Sequence, residues 1–414
     1  MNSYFASVEQ QANPHLRGRP VGVCEHLGGI IIAPSVEAKR LGIKLGTPVW
    51  EAIKIYPGIA LLPTDPDKYR HITRTFLKIF SDYSDDVEQF SIDEAFIDAT
   101  AHCRGDWNDA LLLGLEIKQR LAREAGEWVS ASVGIGPNKL ISKIAADLGD
   151  GDIDRIAMVR PHEIHTLYDR LKLTDVPGIG PRLERALHKL GIFTLRRLAA
   201  YPLANLLNQF GIWGLVLHEL ANFEDSSEVI SEEEEAKSFG HAYTVPKALT
   251  TESQIKRLMF KLSEKVARRM RKHRGRGSVV HYFHSDKQAP PHGVGSGQGG
   301  GFSKQRKLKE FIDTGPEIFR VAWSIYSQSI NPAPAPWGEV KIMGVSISGL
   351  DFNPKQEPLF EHFKKARRLT AALDQINDKF GEYTIQPAGM AGARQEWARD
   401  TVGFGRTRSQ KAGQ

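Results

Sequence analysis

The stretch "FSIDEAFID", residues 90–98, sets Asp93 and Glu94 side by side among apolar and β-forming neighbours. In a continuous strand adjacent side chains point to opposite faces. The two carboxylates therefore share a ligand only where the chain bends or a hairpin turns. Burying both without a partner is strongly unfavourable. A surface hairpin with a solvated acidic tip is the plainer reading. The sharper one is a cation site, with hard oxygen ligands holding Mg²⁺ beside a phosphate-bearing substrate. The rest of the chain has to choose between them.

At 414 residues the chain exceeds the usual single-domain range, so two to four domains are expected. A net charge of +6 suggests an anionic partner without saying where the positive charge sits. Cys24 and Cys103 are the only cysteines, too few for a disulfide framework or a zinc site, which fits a reducing compartment. The opening MNSYFASVEQ has no basic segment followed by an apolar core, and no segment has the apolar length of a membrane span. The expectation is a cytoplasmic, soluble protein with no membrane contact.

Outward from the acid pair, a helical stretch (DKYRHITRTFLKIFSDY) precedes it, and helical "DALLLGLEIKQRLAREAG" and strand-like "VSASVGIG" follow. That succession is α+β with antiparallel strands rather than a strict βαβ alternation. Residues 18–65 read as a small mixed unit: strands in "RPVGVC" and "GGIIIAP", helices in "SVEAKRLGI" and "VWEAIKIYP". Residues 161–223 look wholly helical. "EDSSEVISEEEE", residues 224–235, has seven acids in twelve positions and reads as a solvated linker. Beyond it the order strand, helix, strand, strand, helix, strand suggests a ferredoxin-like sheet unit. Residues 351–414 are polar and partly helical.

Two motifs point to nucleic acid. "DVPGIGPRLERALHKLGI" places Gly178 and Gly180 before a basic helix in a helix-hairpin-helix pattern. Glycines there let backbone N–H groups at a helix start approach a DNA phosphate. The alternative is an ordinary helical turn. "QIKRLMFKLSEKVARRMRKHRGRG", residues 254–277, carries ten Lys or Arg against one Glu, with Leu258, Leu262, Val266 and Met270 at four-residue spacing. One stripe faces a sheet, and the cations, Arg268, Arg269, Arg271, Lys272 and Arg274 among them, are left to meet a polyanion. A solvated charged face is the plainer reading. "VGIGPNK" lacks the spacing of a phosphate-binding P-loop, and His281 and His284 fall on opposite faces of a strand, a poor metal pair.

Taken together these segments resemble the Y-family of DNA polymerases, the low-fidelity translesion enzymes, and specifically the bacterial polymerase IV (DinB) type with some UmuC-like features. "NSYFASVEQQANPHLRGRPVGV", "FSIDEAFID", "SVGIGPNKLISKIAADL" and "VPGIGPRLERAL" stand in the family's order and span most of the chain. The resemblance implies an α+β multidomain right hand. Its palm would be residues 1–10 and 66–160, its fingers 11–65 and its helix-hairpin-helix thumb 161–223. An acidic linker would follow at 224–236, a ferredoxin-like little finger at 237–351 and a C-terminal extension at 352–414. It implies that Asp93 and Glu94 are catalytic metal ligands, with the backbone carbonyl of Met1, for two Mg²⁺ ions in a two-metal phosphoryl transfer. Phe5 matches the steric gate that excludes a 2′-hydroxyl. Ser3, Tyr4, Lys39 and Arg40 fall where the triphosphate is gripped. "QEPLF" resembles a sliding-clamp peptide, with Gln356, Leu359 and Phe360 as its contacts.

The sequence departs from that pattern in several places. The family's further metal aspartate would stand immediately before Met1, and the opening strand with it, which leaves an expectation of a short palm sheet and a gate residue on a loose terminus. Val36 and Lys39 stand where Tyr and Arg are usual, and Asp150 where a palm lysine is usual. The implied partners are primer-template DNA, dNTPs and a sliding clamp, for a monomer. The rival from another class is a catalytically inactive DNA- and clamp-binding accessory protein.

Overall fold

The computed structural model describes residues 1–149, 155–231, 235–285, 301–329, 339–353 and 361–392. Asp150 and the peptide containing Gln356, Leu359 and Phe360 lie outside the described residues. Among those described, no helix is long and apolar enough to cross a membrane.

The chain opens with helix α1 (Tyr4–Ala12). Strands β1 (Val21–Cys24) and β2 (Ile31–Pro34), helices α2 (Val36–Arg40) and α3 (Val49–Ile55), and strand β3 (Ala60–Pro63) then form a small unit. Its sheet runs β2-β1-β3, with β1 antiparallel to β2 and parallel to β3. Ile31, Ala38, Ile43, Val49 and Ala52 make its own small core.

Helix α4 (Pro66–Ser81) starts where Asp65 accepts a bond from the Lys68 N–H and Pro66 supplies a preset φ. Tyr69, Thr73, Phe76, Ile79 and Phe80 recur at helical spacing and are buried. They pack with α1 and with α5 (Trp107–Glu124), which Asp106 caps. Between these helices lies the antiparallel hairpin β4 (Val87–Gln89) and β5 (Ala95–Ile97).

Strand β6 (Val133–Ile135), helix α6 (Lys139–Gly149) and strand β7 (Ile156–Met158) follow. Beside the expected antiparallel hairpin, β6 and β7 pair in parallel around α6, a pairing the sequence reading did not include. Nor does the hydrophobic core break at residue 160. Leu140, Ile141, Ile144 and Ala145 of α6 share one cluster with α7 (Leu167–Arg170), α8 (Pro181–Lys189), α9 (Leu195–Ala199), α10 (Leu203–Phe210) and α11 (Ile212–Ala221).

The last unit has the expected element order: β8 (Ser238–Leu249), α12 (Glu252–Lys272), β9 (Arg276–Ser285), β10 (Gly301–Ile312), α13 (Gly315–Ser329) and β11 (Val340–Asp351). The sheet order is β10-β9-β11-β8, every neighbour antiparallel, so two split βαβ units interlock. Both helices pack on one face over Tyr243, Val280, Tyr282, Val345 and Ile347. A further helix, α14 (Glu361–Phe380), lies against α12.

The start of the acidic segment is largely exposed, as a linker is, but it is tethered to the units before it. Asp225 accepts from the Leu140 N–H, Lys139 donates to Glu228 O, the Ile230 N–H ends on Glu88 and Ser231 Oγ donates to Asp85 O. These bonds lay 225–231 along α6 and β4, and most use backbone groups that a charge count does not register. The N-terminus is not loose. The Met1 ammonium donates to Asp93 O at 2.8 Å, the Asn2 N–H donates to Ser130 O at 2.8 Å, and Phe5 is 2% exposed.

Candidate active site and nucleic-acid interface

The question posed by the adjacent acids is answered by a turn. Both the Phe90 and the Ser91 N–H donate to Glu94 O, so the chain doubles back between β4 and β5. Ser91 and Ile92 are buried, while Asp93 and Glu94 keep partial access to solvent. Ser91 Oγ donates to Asp93 Oδ1 at 2.6 Å, and Lys143 of α6 pairs with Glu94 Oε1 at 2.5 Å. Neither carboxylate is left uncompensated.

Helix α1 begins beside this turn. Its N-cap, Ser3, sits at φ 46°, a conformation that costs a non-glycine residue energy and is kept where surrounding contacts over-determine it. Ser3 Oγ and Asn2 Nδ2 are buried without a hydrogen-bond partner in the structure. A helix start with orphaned side-chain polar atoms and an acid pair alongside fits a cation-bound phosphate group. Among the described residues no group of three or more His, Cys, Asp or Glu is placed to hold a metal, so Asp93 and Glu94 stand as a pair.

The residues after Ser3 are tied into α4. The Tyr4 hydroxyl donates to Tyr69 O at 2.8 Å and lies 2.9 Å from Thr73 Oγ1, which donates to Ile92 O at 2.7 Å. One buried threonine thus joins α1, α4 and the acidic turn. Burial, aided by the Asp93 charge, pushes the Tyr4 phenol far above its ordinary pKa, so it stays a donor. Phe5 lies flat on Tyr69. Lys39 and Arg40 are exposed on the last turn of α2. The base of α2 is fixed by Ser35, which caps it, and by Gln10 Nε2, which donates to Glu37.

Gly178 has φ 100°, a turn conformation that a side chain resists, and a Cβ there would meet Leu220 at 3.2 Å. Gly180 is the N-cap of α8, with open space around it. The element directly before them is a 3₁₀ turn, Leu173–Asp175, where the pattern suggested an amphipathic helix on either side of the glycines.

Part of the charge on the basic helix is met within the chain. Leu258, Leu262, Val266 and Met270 face the sheet as expected. The opposite face meets acids of the same chain. Arg271 makes a two-pronged pair with Asp374, Arg268 pairs with Asp378, and Lys265 lies 3.7 Å from Glu382. Arg269 donates to Gly240 O. Lys272 and Arg274 remain exposed at the rim of a 400 Å³ cleft between α12 and α14.

What lies uncovered is the other face of the sheet, which the sequence reading missed. Register places Lys307, Val279, Ser348 and Ser238 in one row across it, then Gln305, His281, Ser346 and Gly240, then Ser303, Phe283, Gly344 and Ala242. These are mostly small or polar side chains on a surface that α12 and α13 do not touch. The alternation of Gly344, Ser346 and Ser348 with Met343, Val345 and Ile347 was the signal for it.

Residues 1–147 match the model of the impB/mucB/samB family, and residues 236–359 match the model of that family's C-terminal domain. A DNA polymerase IV of Pelotomaculum thermopropionicum is 36% identical over 402 residues, 94% of this chain and 95% of that protein. DNA polymerase IV 2 of Bacillus subtilis is 31% identical, covering 96% and 95%. Among solved structures, a Y-family polymerase chimera of Dbh and Dpo4 covers 85% of this chain and 98% of its own, at 26% identity and a TM-score of 0.72. Fold and acidic turn together define the right-hand polymerase architecture of the Y-family type. The chain belongs to the impB/mucB/samB family, in which its DNA polymerase IV relatives lie.

Proposed function

We propose that the protein is a DNA-template-directed DNA polymerase that extends a primer 3′-hydroxyl with dNTPs and synthesises across damaged templates. The polymerase IV relatives and Y-family neighbours support this over an inactive accessory role. One observation in the fold carries it: the start of α1, with its orphaned polar atoms, is fastened directly to the Asp93–Glu94 turn by Met1 and by Tyr4 and Thr73. That juxtaposition is what a triphosphate and its cations require.

In this reading Asp93 and Glu94, with the Met1 carbonyl, hold Mg²⁺. When bound there, the cations supply Lewis-acid activation of the 3′-hydroxyl and charge neutralisation of the leaving pyrophosphate. Lys143 balances Glu94 and holds its carboxylate toward the turn. The Ser91 hydroxyl orients Asp93 by donating to its Oδ1, without balancing its charge. The N–H groups at Ser3 and Tyr4 face the phosphates, Lys39 and Arg40 add positive charge, and Phe5, 2% exposed and stacked on Tyr69, is assigned as the ring that excludes a 2′-hydroxyl. We assign residues 1–10 and 66–160 as palm, 11–65 as fingers, 161–223 as thumb and 237–351 as little finger, with the reservation that α6 packs with the thumb. Gly178 and Gly180 take a phosphate of the duplex. The uncovered sheet face, with Lys307 at its edge strand, holds the duplex in place of α12. Gln356, Leu359 and Phe360 are assigned to a sliding clamp.

Single-turnover incorporation tests the assignment. Asp93→Asn and Glu94→Gln should each lower the rate by on the order of a thousandfold, while primer-template affinity stays within about twofold. Incorporation by both variants within tenfold of the parent would remove these acids from the chemistry.

A further inference from the structure

The ring read as the sugar gate rests on another ring, and that second ring is anchored by an acid. Phe5 and Tyr69 are parallel, with centroids 4.3 Å apart and planes 11° apart. Tyr69 is fully buried, and its hydroxyl donates to Glu9 Oε1 at 2.9 Å. Glu9 sits one helical turn after Phe5 on α1 and is 7% exposed. Its other oxygen accepts from Lys68 Nζ at 2.7 Å, and Lys68 is also 3.5 Å from the α4 cap, Asp65.

A gate that works by collision discriminates only as far as its ring resists being pushed aside. Against an aliphatic wall, a ring yields by rotamer adjustment at modest cost. Here the supporting ring is fixed at its far end by a charge-assisted bond, and the acid that makes it is fixed in turn by an ammonium. Burial and the Glu9 charge push the Tyr69 phenol far above its ordinary pKa, so this donor persists at any working pH. The chain Asp65, Lys68, Glu9, Tyr69, Phe5 runs from the start of α4 to the underside of the ring.

We propose that Glu9, acting through Tyr69, is a positioning residue that stiffens Phe5 and so sets the selection against ribonucleotides. This rests on reading Phe5 as the sugar gate, and the test separates the two.

The measurement is nucleotide affinity in ternary complexes of the full chain with Mg²⁺ and a primer-template ending in a dideoxynucleotide. It compares a dNTP with the matching ribonucleoside triphosphate. Phe5→Ala sets the full range by raising relative ribonucleotide affinity. Tyr69→Phe, which keeps the ring and loses the bond, and Glu9→Gln should each recover part of that range, about five- to tenfold in the ratio, less than the full value of a charge-assisted bond because the bond acts on the gate only through the supporting ring. The double variant should go no further than either single, since both act on one path. If Phe5→Ala relaxes selection and Tyr69→Phe leaves the ratio within twofold of the parent, the gate stands and the role of Glu9 is overturned. If Phe5→Ala itself leaves the ratio unchanged, the gate reading fails and takes the inference with it.

Discussion

Replacing Lys139 by methionine should loosen the centre of the molecule more than any surface change of the same size. Lys139 Nζ donates to Glu88 Oε2 at 2.9 Å, with side-chain exposures of 15% and 6%. The same carboxylate oxygen accepts the Ile230 N–H at 3.1 Å. Glu88 lies on β4 of the acidic hairpin, Lys139 opens α6, and Ile230 belongs to the strap that leads to the last unit. Lys139→Met therefore removes the ammonium from a carboxylate that is closed off from water. Removing one partner of a buried pair costs about 3–5 kcal/mol, and the residual exposure of Lys139 places this case near 3 kcal/mol. That corresponds to roughly a hundredfold faster exchange of the Ile230 amide if the strap opens by the same amount. Urea unfolding followed by circular dichroism gives the first quantity and native-state hydrogen exchange the second. The pair Lys139→Met with Glu88→Leu, which removes both charges, should be more stable than Lys139→Met alone. A single-variant loss below about 1 kcal/mol, or a double variant worse than the single, would refute the reading of this pair as desolvated.

Three further outcomes follow from particular contacts. His26 places Nε2 3.0 Å from Thr244 O, joining the small N-terminal unit to the last sheet, while Nδ1 is buried without a partner. Burial lowers its pKa below the ordinary 6.5, the Thr244 bond opposes this and Lys341 adds to the lowering. The neutral form is the one stabilised, so the stability gained by burying the neutral ring is complete above about pH 6.5 and declines as pH falls below it; His26→Gln should flatten that dependence in a melting series between pH 5 and 8. Arg271→Ala should expose α14 to limited proteolysis and change primer-template affinity little, because its guanidinium already serves Asp374. Lys307→Glu should weaken primer-template binding and lower the slope of log affinity against log salt by about one, measured by fluorescence anisotropy; equal effects of the two variants would return the duplex to α12.

Local pattern made most of the fold readable. Asp65-Pro66 with apolar residues at Tyr69, Phe76 and Phe80 announces α4, and Thr251 and Gln254 cap α12 before its apolar stripe begins. The acidic turn was readable for the same reason, since two adjacent acids in a β-forming segment need a bend. The omissions all concern partners distant in sequence. Two cations of α12, Arg268 and Arg271, are paired with Asp378 and Asp374, about a hundred residues on, and a charge count has no access to that pairing. Glu228 and Ile230 are strapped to Lys139 and Glu88 through backbone atoms, which no acid tally registers. The parallel pairing of β6 and β7 depends on short strands either side of α6, the second of them only Ile156–Met158. For the candidate site, sequence placed Asp93, Glu94 and Phe5. The roles of Thr73, Glu9 and Lys143 emerge only when three helices and a turn are brought together.

The central claim is templated nucleotide addition at the Asp93–Glu94 turn. It is tested most directly by primer extension with Mg²⁺ on four templates differing in the next base, each offered the four dNTPs singly. The samples are this chain and its Asp93→Ala variant. The expected result is addition of the complementary nucleotide by the parent and its loss in Asp93→Ala. Tight primer-template binding with no addition by either form, or addition that Asp93→Ala leaves intact, would contradict it.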